Sequence, residues 1–196
     1  MKGFILGFLI CLFLFLVLFF YLHSVGKSPR HNATGPTELY SKWESKTREL
    51  AVTPSPEQLE EWTARVREAF TPFEAVRAAE NFPKAYAEEF YFRDAFHQFT
   101  DLGKMTDYMV KTAETSTGVT FTFRPPVQNG IDVFLPWTMV LGGSEEDPQE
   151  SMGLSHLRFN SDGKVFFHQD YWDSADVLVP KVPVANGLIE LVRRQF

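Results

Sequence analysis

The chain has 196 residues, of which 44% are hydrophobic and 15% aromatic, enough for one folded domain with an apolar core. The formal net charge is −6 at pH 7 and the sequence shows no basic cluster, which argues against nucleic acid as a partner. Cys11 is the only cysteine, so intrachain disulfides and cysteine-based metal sites are excluded. We expect no metal and no cofactor, because the sequence contains no phosphate-binding glycine loop and no zinc-binding HExxH motif.

An uncharged apolar run, GFILGFLICLFLFLVLFFYL, occupies residues 3–22. As a helix it would be about 30 Å long, which matches the core of a bilayer. The run is longer than the roughly 7–15 residues of a signal-peptide core, so we predict an uncleaved single-pass membrane anchor over residues 1–22. The alternative is a cleaved signal peptide, for which Ser24-Val25-Gly26 resembles a cleavage site. Basic residues flank the run on both sides and leave its orientation open.

Residues 23–54 are polar and contain several prolines, which is typical of a juxtamembrane linker. Within them, apolar and aromatic residues predict one short helix: Leu39, Tyr40, Trp43 and Leu50. Two placements of this helix are open. It lies on the membrane interface, where aromatic residues are favoured, or it packs on the folded domain.

The folded domain is predicted over residues 55–196. It opens with Ser55-Pro56-Glu57-Gln58, a capping box with proline at the first helical position. Apolar residues at helical spacing then predict a helix up to Phe70. Residues 73–80 and 83–89 predict two short helices, separated at Asn81-Phe82-Pro83, and residues 101–115 predict another. Leu188, Val192 and Phe196 predict a helical C-terminal tail.

Strands are predicted over residues 90–96, 119–124, 131–139, 153–159 and 164–173, mainly from alternation of apolar and polar side chains. Asn129-Gly130 and Asp162-Gly163 predict hairpin turns, the second of type I′ with positive φ at both central positions. The predicted fold is α+β, with N-terminal helices packed on a curved antiparallel sheet in a cone-like barrel, preceded by one transmembrane helix.

The last strand predicts one wall of a pocket. Alternation places an imidazole, a carboxylate and an indole on one face, in the series Phe166, His168, Asp170 and Trp172. The opposite face also carries large apolar side chains, whereas a sheet covered on one side should be polar on the other. We therefore expect a second copy of the chain, as a homodimer, to cover that opposite face.

Two stretches resemble a known superfamily. FYFRDAF, residues 90–96, resembles a strand that ends in Asp-Pro-Phe in many members, with Ala95 here at the proline position. LRFNSDGKVFFHQDYWD, residues 157–173, resembles their final hairpin. From about Ser55 to Asp173 the chain resembles the nuclear-transport-factor-2-like superfamily, most of all its SnoaL-like members. The resemblance implies helices around a curved sheet with an apolar pocket, and it leaves the activity open, because this fold serves many functions.

The superfamily includes ketosteroid isomerases, polyketide cyclases, limonene epoxide hydrolases and scytalone dehydratases. By resemblance to the isomerases, Asp94 stands at the position of the general base and Trp172 at that of a pocket-lining tryptophan. Ser155 stands where the isomerases have their second catalytic aspartate. Their oxyanion-hole tyrosine has no match here, Phe70 lying nearest. The resemblance therefore implies acid–base chemistry by a different set of groups.

His168 and Asp170 stand where the isomerases have apolar pocket residues. A carboxylate in an apolar cavity is tuned by two opposed effects, desolvation and the charge of a neighbouring imidazolium. We therefore predict Asp94, His168 and Asp170 as catalytic residues that converge on one cavity. Further residues are predicted to line it: Phe92, Tyr108, Trp137, Ser155, Leu157, Phe166 and Trp172.

Each of these residues also has a purely structural interpretation. Asp94 could close a turn at the end of its strand or form an ion pair. His168 and Asp170 could form a buried hydrogen-bonded pair that satisfies both groups without any chemistry. A metal site built on them would need further ligands, and no ligand spacing in the sequence supplies these.

Two functions follow from the sequence. The first is an isomerase, dehydratase or cyclase that acts on a small lipophilic molecule and is tethered to the membrane in which that molecule partitions. The second is a non-catalytic module that binds a lipophilic ligand or dimerises through its sheet. The Asp94, His168 and Asp170 set favours the first, and the apolar opposite face of the last strand favours the second.

Overall fold

The computed structural model describes residues 12–21, 36–116, 118–142 and 149–174, together with residues 187, 191 and 193–195. The chain divides into two compact units, Met1–Glu38 and Leu39–Phe196. Residues 12–21 form a helix, α1. Within the described ranges, no helix is long and apolar enough to cross a membrane. The anchor predicted over residues 1–22 extends beyond those ranges and stays a prediction, and the residues that predict a helical tail lie outside them.

The remaining elements alternate helices and strands around one sheet. The helices are α2 (Pro36–Leu50), α3 (Pro56–Phe70), α4 (Ala75–Ala85) and α5 (Leu102–Thr115). The strands are β1 (Tyr86–Arg93), β2 (Gln98–Phe99), β3 (Val119–Phe123), β4 (Val127–Asn129), β5 (Asp132–Leu141), β6 (Gln149–Phe159) and β7 (Val165–Trp172). Their order in the sheet is β2-β1-β7-β6-β5-β3, and β4 also pairs with β5.

The α+β class is confirmed, but the expectation of a wholly antiparallel sheet is wrong. Strands β3, β5, β6 and β7 pair antiparallel, as their hairpin patterns predicted, whereas β1 pairs with β7 in parallel. A hairpin forces its two strands to run antiparallel, while strands that are distant in sequence are free of that constraint. The register places Phe92 beside His168, so the parallel pair brings the end of β1 to the polar face of β7.

The predicted break in the second helical region is also wrong. Helix α4 continues through Pro83 to Ala85, and the Tyr86 N–H donates to the Phe82 carbonyl at its end. Pro83 lies in the last turn, where it costs the helix one hydrogen bond, and the burial of Ala78, Phe82 and Ala85 holds that turn on the core. Strand β1 therefore begins at Tyr86, within residues 83–89 that were predicted to be helical.

The β6–β7 turn is present, but it is not of type I′. Positive φ occurs only at Gly163, at 68°, and not at Asp162. The Gly163 N–H donates to the Asn160 carbonyl at 3.0 Å, and the Asn160 side chain accepts from the N–H groups of Asp162 and Lys164. This side chain shapes the loop, which spares Asp162 a left-handed conformation.

The core lies between the sheet and helices α3, α4 and α5. The capping box of α3 is confirmed, with the Ser55 N–H donating to Gln58 Oε1 at 2.9 Å and the Gln58 N–H donating back to Ser55 Oγ. Buried residues of the three helices, among them Val66, Phe82 and Met105, pack on inward-facing residues of the sheet. This arrangement places α3 and α5 over the polar face of β7.

Helix α2 packs on the opposite face of the sheet. Trp43 is buried with Tyr91 of β1 and Phe167 of β7, and the Tyr40 ring lies edge-on to Phe167 with 5.8 Å between ring centroids. Of the two placements that the sequence left open, the structure therefore shows the helix packed on the domain. Because α2 packs there, it covers part of the sheet face on which a second copy of the chain was expected. The homodimer itself stays a prediction.

A buried guanidinium fixes α2 in this position. The Arg158 side chain is only 1% exposed. Its Nε donates to Asp132 at 2.6 Å, and its terminal nitrogens donate to the carbonyl and carboxylate of Glu44 and to the Thr47 hydroxyl. Removing one partner of a buried charged group leaves the others desolvated and unpaired. The position of α2 on the sheet therefore depends on Arg158.

We predict that Arg158→Met lowers the free energy of unfolding by about 3 kcal/mol, because it leaves Asp132 and Glu44 without their shared cation. Urea denaturation of the full chain, followed by tryptophan fluorescence, measures this loss. Arg48→Met is the matched control, since Arg48 also pairs with Glu44 but its side chain is 60% exposed, and we expect little change. Equal losses in the two variants would contradict the role of Arg158.

A second prediction concerns pH. Burial lowers the pKa of His156, although its hydrogen bond to Asp132 opposes the shift. A base whose pKa is lower in the folded protein binds protons more readily when unfolded, so the stability is complete above its ordinary pKa of about 6.5 and falls below it. Burial also acts to raise the pKa of Asp132, but hydrogen bonds from His156 and Arg158 outweigh it and leave that pKa lowered, which adds a loss of the same sign at lower pH.

The free energy of unfolding should therefore fall as the pH drops from about 7.5 to about 5.5, and His156→Gln should reduce that fall. Glutamine retains an N–H donor for Asp132 but does not titrate in this range. An unchanged pH dependence in His156→Gln would show that His156 does not contribute.

Candidate functional site

A cavity of about 240 Å³ lies between the sheet and helices α3 and α5. Its lining is mainly apolar, and aromatic side chains dominate it: Phe70, Phe73, Phe92, Phe96, Tyr108, Phe121, Phe123, Trp137 and Trp172. The aromatic rings contact one another along the wall, with centroid distances of 5.9 Å between Phe96 and Trp172 and 6.3 Å between Trp172 and Trp137. Asp94 and Asp170 are the charged residues among the lining residues that the structure describes.

The structure brings most of the predicted site residues to this cavity. Those that line it are Asp94, Asp170, Phe92, Tyr108, Trp137, Ser155 and Trp172. Leu157 and Phe166 do not, because both pack into the core between sheet and helices. Phe166 lies six residues before Trp172 on the same strand, about 20 Å away. His168 also stands behind the wall, with its side chain 1% exposed.

Asp170 is held by a chain of buried hydrogen bonds. Its Oδ1 accepts from Ser155 Oγ at 2.5 Å and pairs with His168 Nε2 at 2.7 Å. On the far side of the ring, His168 Nδ1 lies 2.6 Å from the Tyr86 hydroxyl. Because a carboxylate only accepts, we assign the proton to Nε2 and an accepting role to Nδ1, which takes the Tyr86 O–H. Among the described residues, no group donates to Asp170 Oδ2.

Tyr86 is a member of the site that the sequence did not reveal. It is fully buried, its ring stacks on His168 at 10° between the ring planes, and burial, followed by the charge of Asp170, raises its pKa well above the ordinary value. Tyr86 therefore keeps its proton and serves as the donor that fixes the orientation of the His168 ring. The helical prediction over residues 83–89 hid it, because no strand face could be assigned there.

Asp94 is held differently. Its Oδ1 accepts from the backbone N–H groups of Phe96 and His97 at 2.7 and 2.6 Å, which closes the turn after β1. Its Oδ2 accepts from the Tyr108 hydroxyl at 2.7 Å. Asp94 thus has the turn-closing role considered as the structural alternative, and it also lines the cavity. Burial, followed by the charge of Asp94, raises the pKa of Tyr108 well above its ordinary value, so Tyr108 stays a phenol.

Trp137 can form part of the cavity wall because Gly153 has no side chain. The two residues are paired across β5 and β6, and a Cβ at Gly153 would lie 2.2 Å from the Trp137 indole. The indole N–H in turn donates to Ser155 Oγ at 3.0 Å. Gly153 therefore positions Trp137, which orients Ser155, which donates to Asp170.

Among the described residues, Asp170 Oδ2 therefore has no donor, and Asp170 lines a mainly apolar cavity. Such an oxygen can take a proton from a bound molecule and return it. His168 and Ser155 keep the carboxylate in place without occupying that oxygen. Within the described part of the chain, no group of three or more His, Cys, Asp or Glu side chains could hold a metal ion.

The fold and the site together define a class of protein. It is an α+β domain in which helices pack over a mixed sheet and an apolar cavity lies between the two layers. The SnoaL-like domain family matches residues 66–168. Because that match spans more than half of the 196 residues, the chain belongs to the SnoaL-like domain family. This confirms the resemblance drawn from the sequence. No curated protein matches the chain.

Solved structures show the same fold at low identity. One is a protein from Acidithiobacillus ferrooxidans assigned as a polyketide cyclase, with a TM-score of 0.52 and 14% identity, covering 67% of this chain and 99% of that one. Another is an Agrobacterium tumefaciens protein assigned as an isomerase of the SnoaL-like family, with a TM-score of 0.51 and 15% identity, covering 60% and 99%. At these identities the likeness shows the fold alone.

We predict that Gly153→Ala displaces Trp137, breaks its bond to Ser155 and lowers the free energy of unfolding by about 1–3 kcal/mol, as overpacking does. Thermal denaturation with tryptophan emission as the readout measures both the stability and the environment of Trp137. Gly103→Ala is the control, since a Cβ there meets its nearest atom at an ordinary 3.4 Å and lies in a helix, where alanine is favoured. If Gly153→Ala matched the wild type in both readouts, the proposed packing would be wrong.

Proposed function

We propose that this SnoaL-like domain is an acid–base catalyst of the isomerase or cyclase type, in which Asp170 moves a proton on a small lipophilic molecule bound in the cavity. The observation that carries the proposal is the state of the Asp170 carboxylate. One oxygen is held by Ser155 and His168, the other has no donor among the described residues, and the residue lines a mainly apolar cavity. Membership of the SnoaL-like family supports it.

The proposed step is transfer of a proton from carbon. Asp170 Oδ2 takes the proton from a C–H beside a carbonyl group, and the electron pair of that bond moves into the carbonyl to give an enolate. Where a carbon–carbon double bond is conjugated with the enolate, return of the proton to the far carbon of that double bond gives an isomer, so one carboxylate serves both halves of the reaction. An apolar environment favours this use, because water solvates a carboxylate and weakens it as a base.

His168 and Tyr86 support this step by position. The stacked pair fixes the His168 ring, and the ring holds Asp170 Oδ1 so that Oδ2 points away from the protein donors. Restricting the carboxylate to one orientation lowers the entropic cost of the reactive geometry. We therefore assign His168 the role of a positioning residue, while the sequence placed it among the catalytic residues.

A second function, binding of a lipophilic ligand without turnover, is favoured by Asp94. Each of its oxygens already accepts a hydrogen bond, and the bonds of Asp94 with Tyr108 and with the turn N–H groups have a structural role that involves no chemistry. A cavity in which Asp170 merely orients a ligand would then be a binding site.

We also propose that residues 3–22 tether the chain to a membrane, so that the domain meets a ligand that partitions into lipid. The support is the uncharged run of apolar residues. Homodimerisation through the part of the sheet that α2 leaves uncovered is a further proposal, supported by the apolar side chains of that face.

The proposal predicts that the full chain accelerates exchange of the acidic C–H protons of β-tetralone, a small bicyclic ketone, for deuterium in deuterated buffer. Proton magnetic resonance follows the exchange over time. Asp170→Asn should reduce the protein-catalysed rate by at least about 100-fold, the usual contribution of a general base, because the amide is a very weak base but can accept the same bonds from Ser155 and His168.

The matched control is Asp162→Asn, which removes a carboxylate from the exposed β6–β7 turn and should leave the rate unchanged. Wild-type exchange at the buffer rate, with saturable binding of β-tetralone, would favour the binding function instead. Exchange that persists in Asp170→Asn would assign the base to another residue.

A further inference from the structure

The cavity carries negatively charged side chains as well as an apolar lining. Asp94 and Asp170 line it, whereas Lys, Arg and His are absent from the lining residues that the structure describes. Buried or half-buried carboxylates interact strongly with a charge in the same apolar space. The lining therefore favours a positive charge in the bound molecule and disfavours a negative one.

Among the described residues, no charged group donates to Asp94. Its three described donors are the N–H groups of Phe96 and His97 and the hydroxyl of Tyr108, all of which are neutral. Its Oδ2 accepts one hydrogen bond and retains a second acceptor site. Asp94 is half-buried and precedes the exposed residues of the turn, so it lies near the protein surface.

The pKa shifts of two tyrosines are consistent with this negative charge. The charge of Asp94, and more weakly that of Asp170, adds to burial in raising the pKa of Tyr108. The charge of Asp170 likewise adds to burial in raising the pKa of Tyr86. Both phenols thus lie in a field that opposes a further negative charge.

The aromatic wall next to Asp94 suits a cation as well. Phe96 lies two residues beyond Asp94 and contacts Trp172 edge-on, and Trp172 contacts Trp137. The faces of such rings attract ammonium groups, tryptophan most strongly. A carboxylate beside an aromatic wall therefore recognises a cation by charge and by polarizable surface together.

The size of the cavity limits the apolar part of the ligand. Its volume is about 240 Å³. This volume is smaller than the roughly 300 Å³ at which pockets for drug-sized ligands begin. The cavity can therefore enclose a ligand with one or two fused rings.

We propose that the cavity takes a lipophilic cation, a protonated amine on a small ring system, with Asp94 as the anchor of the ammonium group. The inference rests on the proposed function, since it uses the same cavity, and it divides the two carboxylates between two roles. Asp94, beside the exposed turn, binds the charge, and Asp170 faces the carbon skeleton and exchanges its proton.

The test is a series of ligands that share one skeleton and differ in charge. Isothermal titration calorimetry on the full chain compares β-aminotetralin as its ammonium ion, neutral β-tetralol and the anionic tetralin carboxylate. We expect the ammonium ion to bind roughly tenfold more tightly than the alcohol, and the carboxylate more weakly than either. The ammonium ion should also inhibit exchange of β-tetralone competitively.

Asp94→Asn should abolish the preference for the ammonium ion while retaining binding of the alcohol. Asparagine keeps an oxygen for the two turn N–H groups, and the Tyr108 hydroxyl can rotate to accept from the amide, so the turn is preserved. Asp101→Asn is the matched control, because Asp101 also accepts a backbone N–H, from Lys104, but lies outside the cavity lining. The control should keep the full preference.

The outcomes separate this inference from the proposed function. If the alcohol binds as tightly as the ammonium ion, the cation inference is wrong, while exchange of β-tetralone that depends on Asp170 still stands. If no exchange occurs but the ammonium preference is present and is lost in Asp94→Asn, the cation site stands and the catalytic proposal falls. A preference that survives Asp94→Asn overturns the assignment of Asp94.

Discussion

Strand β7 lies between β1 and β6, and its residues 165–169 are buried, so the polar side chains of that part require partners within the protein. On the cavity side, His168 is satisfied by Tyr86 and Asp170. On the other side, Phe167 packs beneath Trp43 of α2. The parallel pairing of β1 with β7 brings Tyr86 to His168, and α2 protects the face that would otherwise be exposed to solvent.

The two faces are linked through β6, where neighbouring residues point in opposite directions. Leu157 packs in the core on the cavity side, and Arg158 reaches the network that holds α2. The SnoaL-like match begins at residue 66, so α2, which ends at Leu50, lies outside the part that defines the family. A buried guanidinium is costly unless all its donors are paired, and Arg158 therefore couples this additional helix to one position on the sheet.

The sequence predicted features that depend on local chemistry. Alternation along residues 164–173 identified the face that carries His168 and Asp170, and the Ser55 capping box placed the start of α3. Features that depend on distant partners were missed. The parallel register of β1 has no hairpin to specify it, and Tyr86 was hidden because Pro83 was interpreted as a break between helices. Whether α2 packs on a membrane or on the domain could not be decided from its composition, since aromatic residues suit both surfaces.

The two carboxylates of the cavity show why residue type alone does not define a role. Asp94 and Asp170 have the same side chain, but Asp94 has donors on both oxygens, whereas Asp170 has its described donors on one oxygen only. Donors that stabilise a negative charge leave it available to attract a cation but reduce its capacity as a base. Asp170 keeps one oxygen without a described donor, and it lines a mainly apolar cavity. This difference in donors is the reason for proposing charge recognition by Asp94 and proton transfer by Asp170.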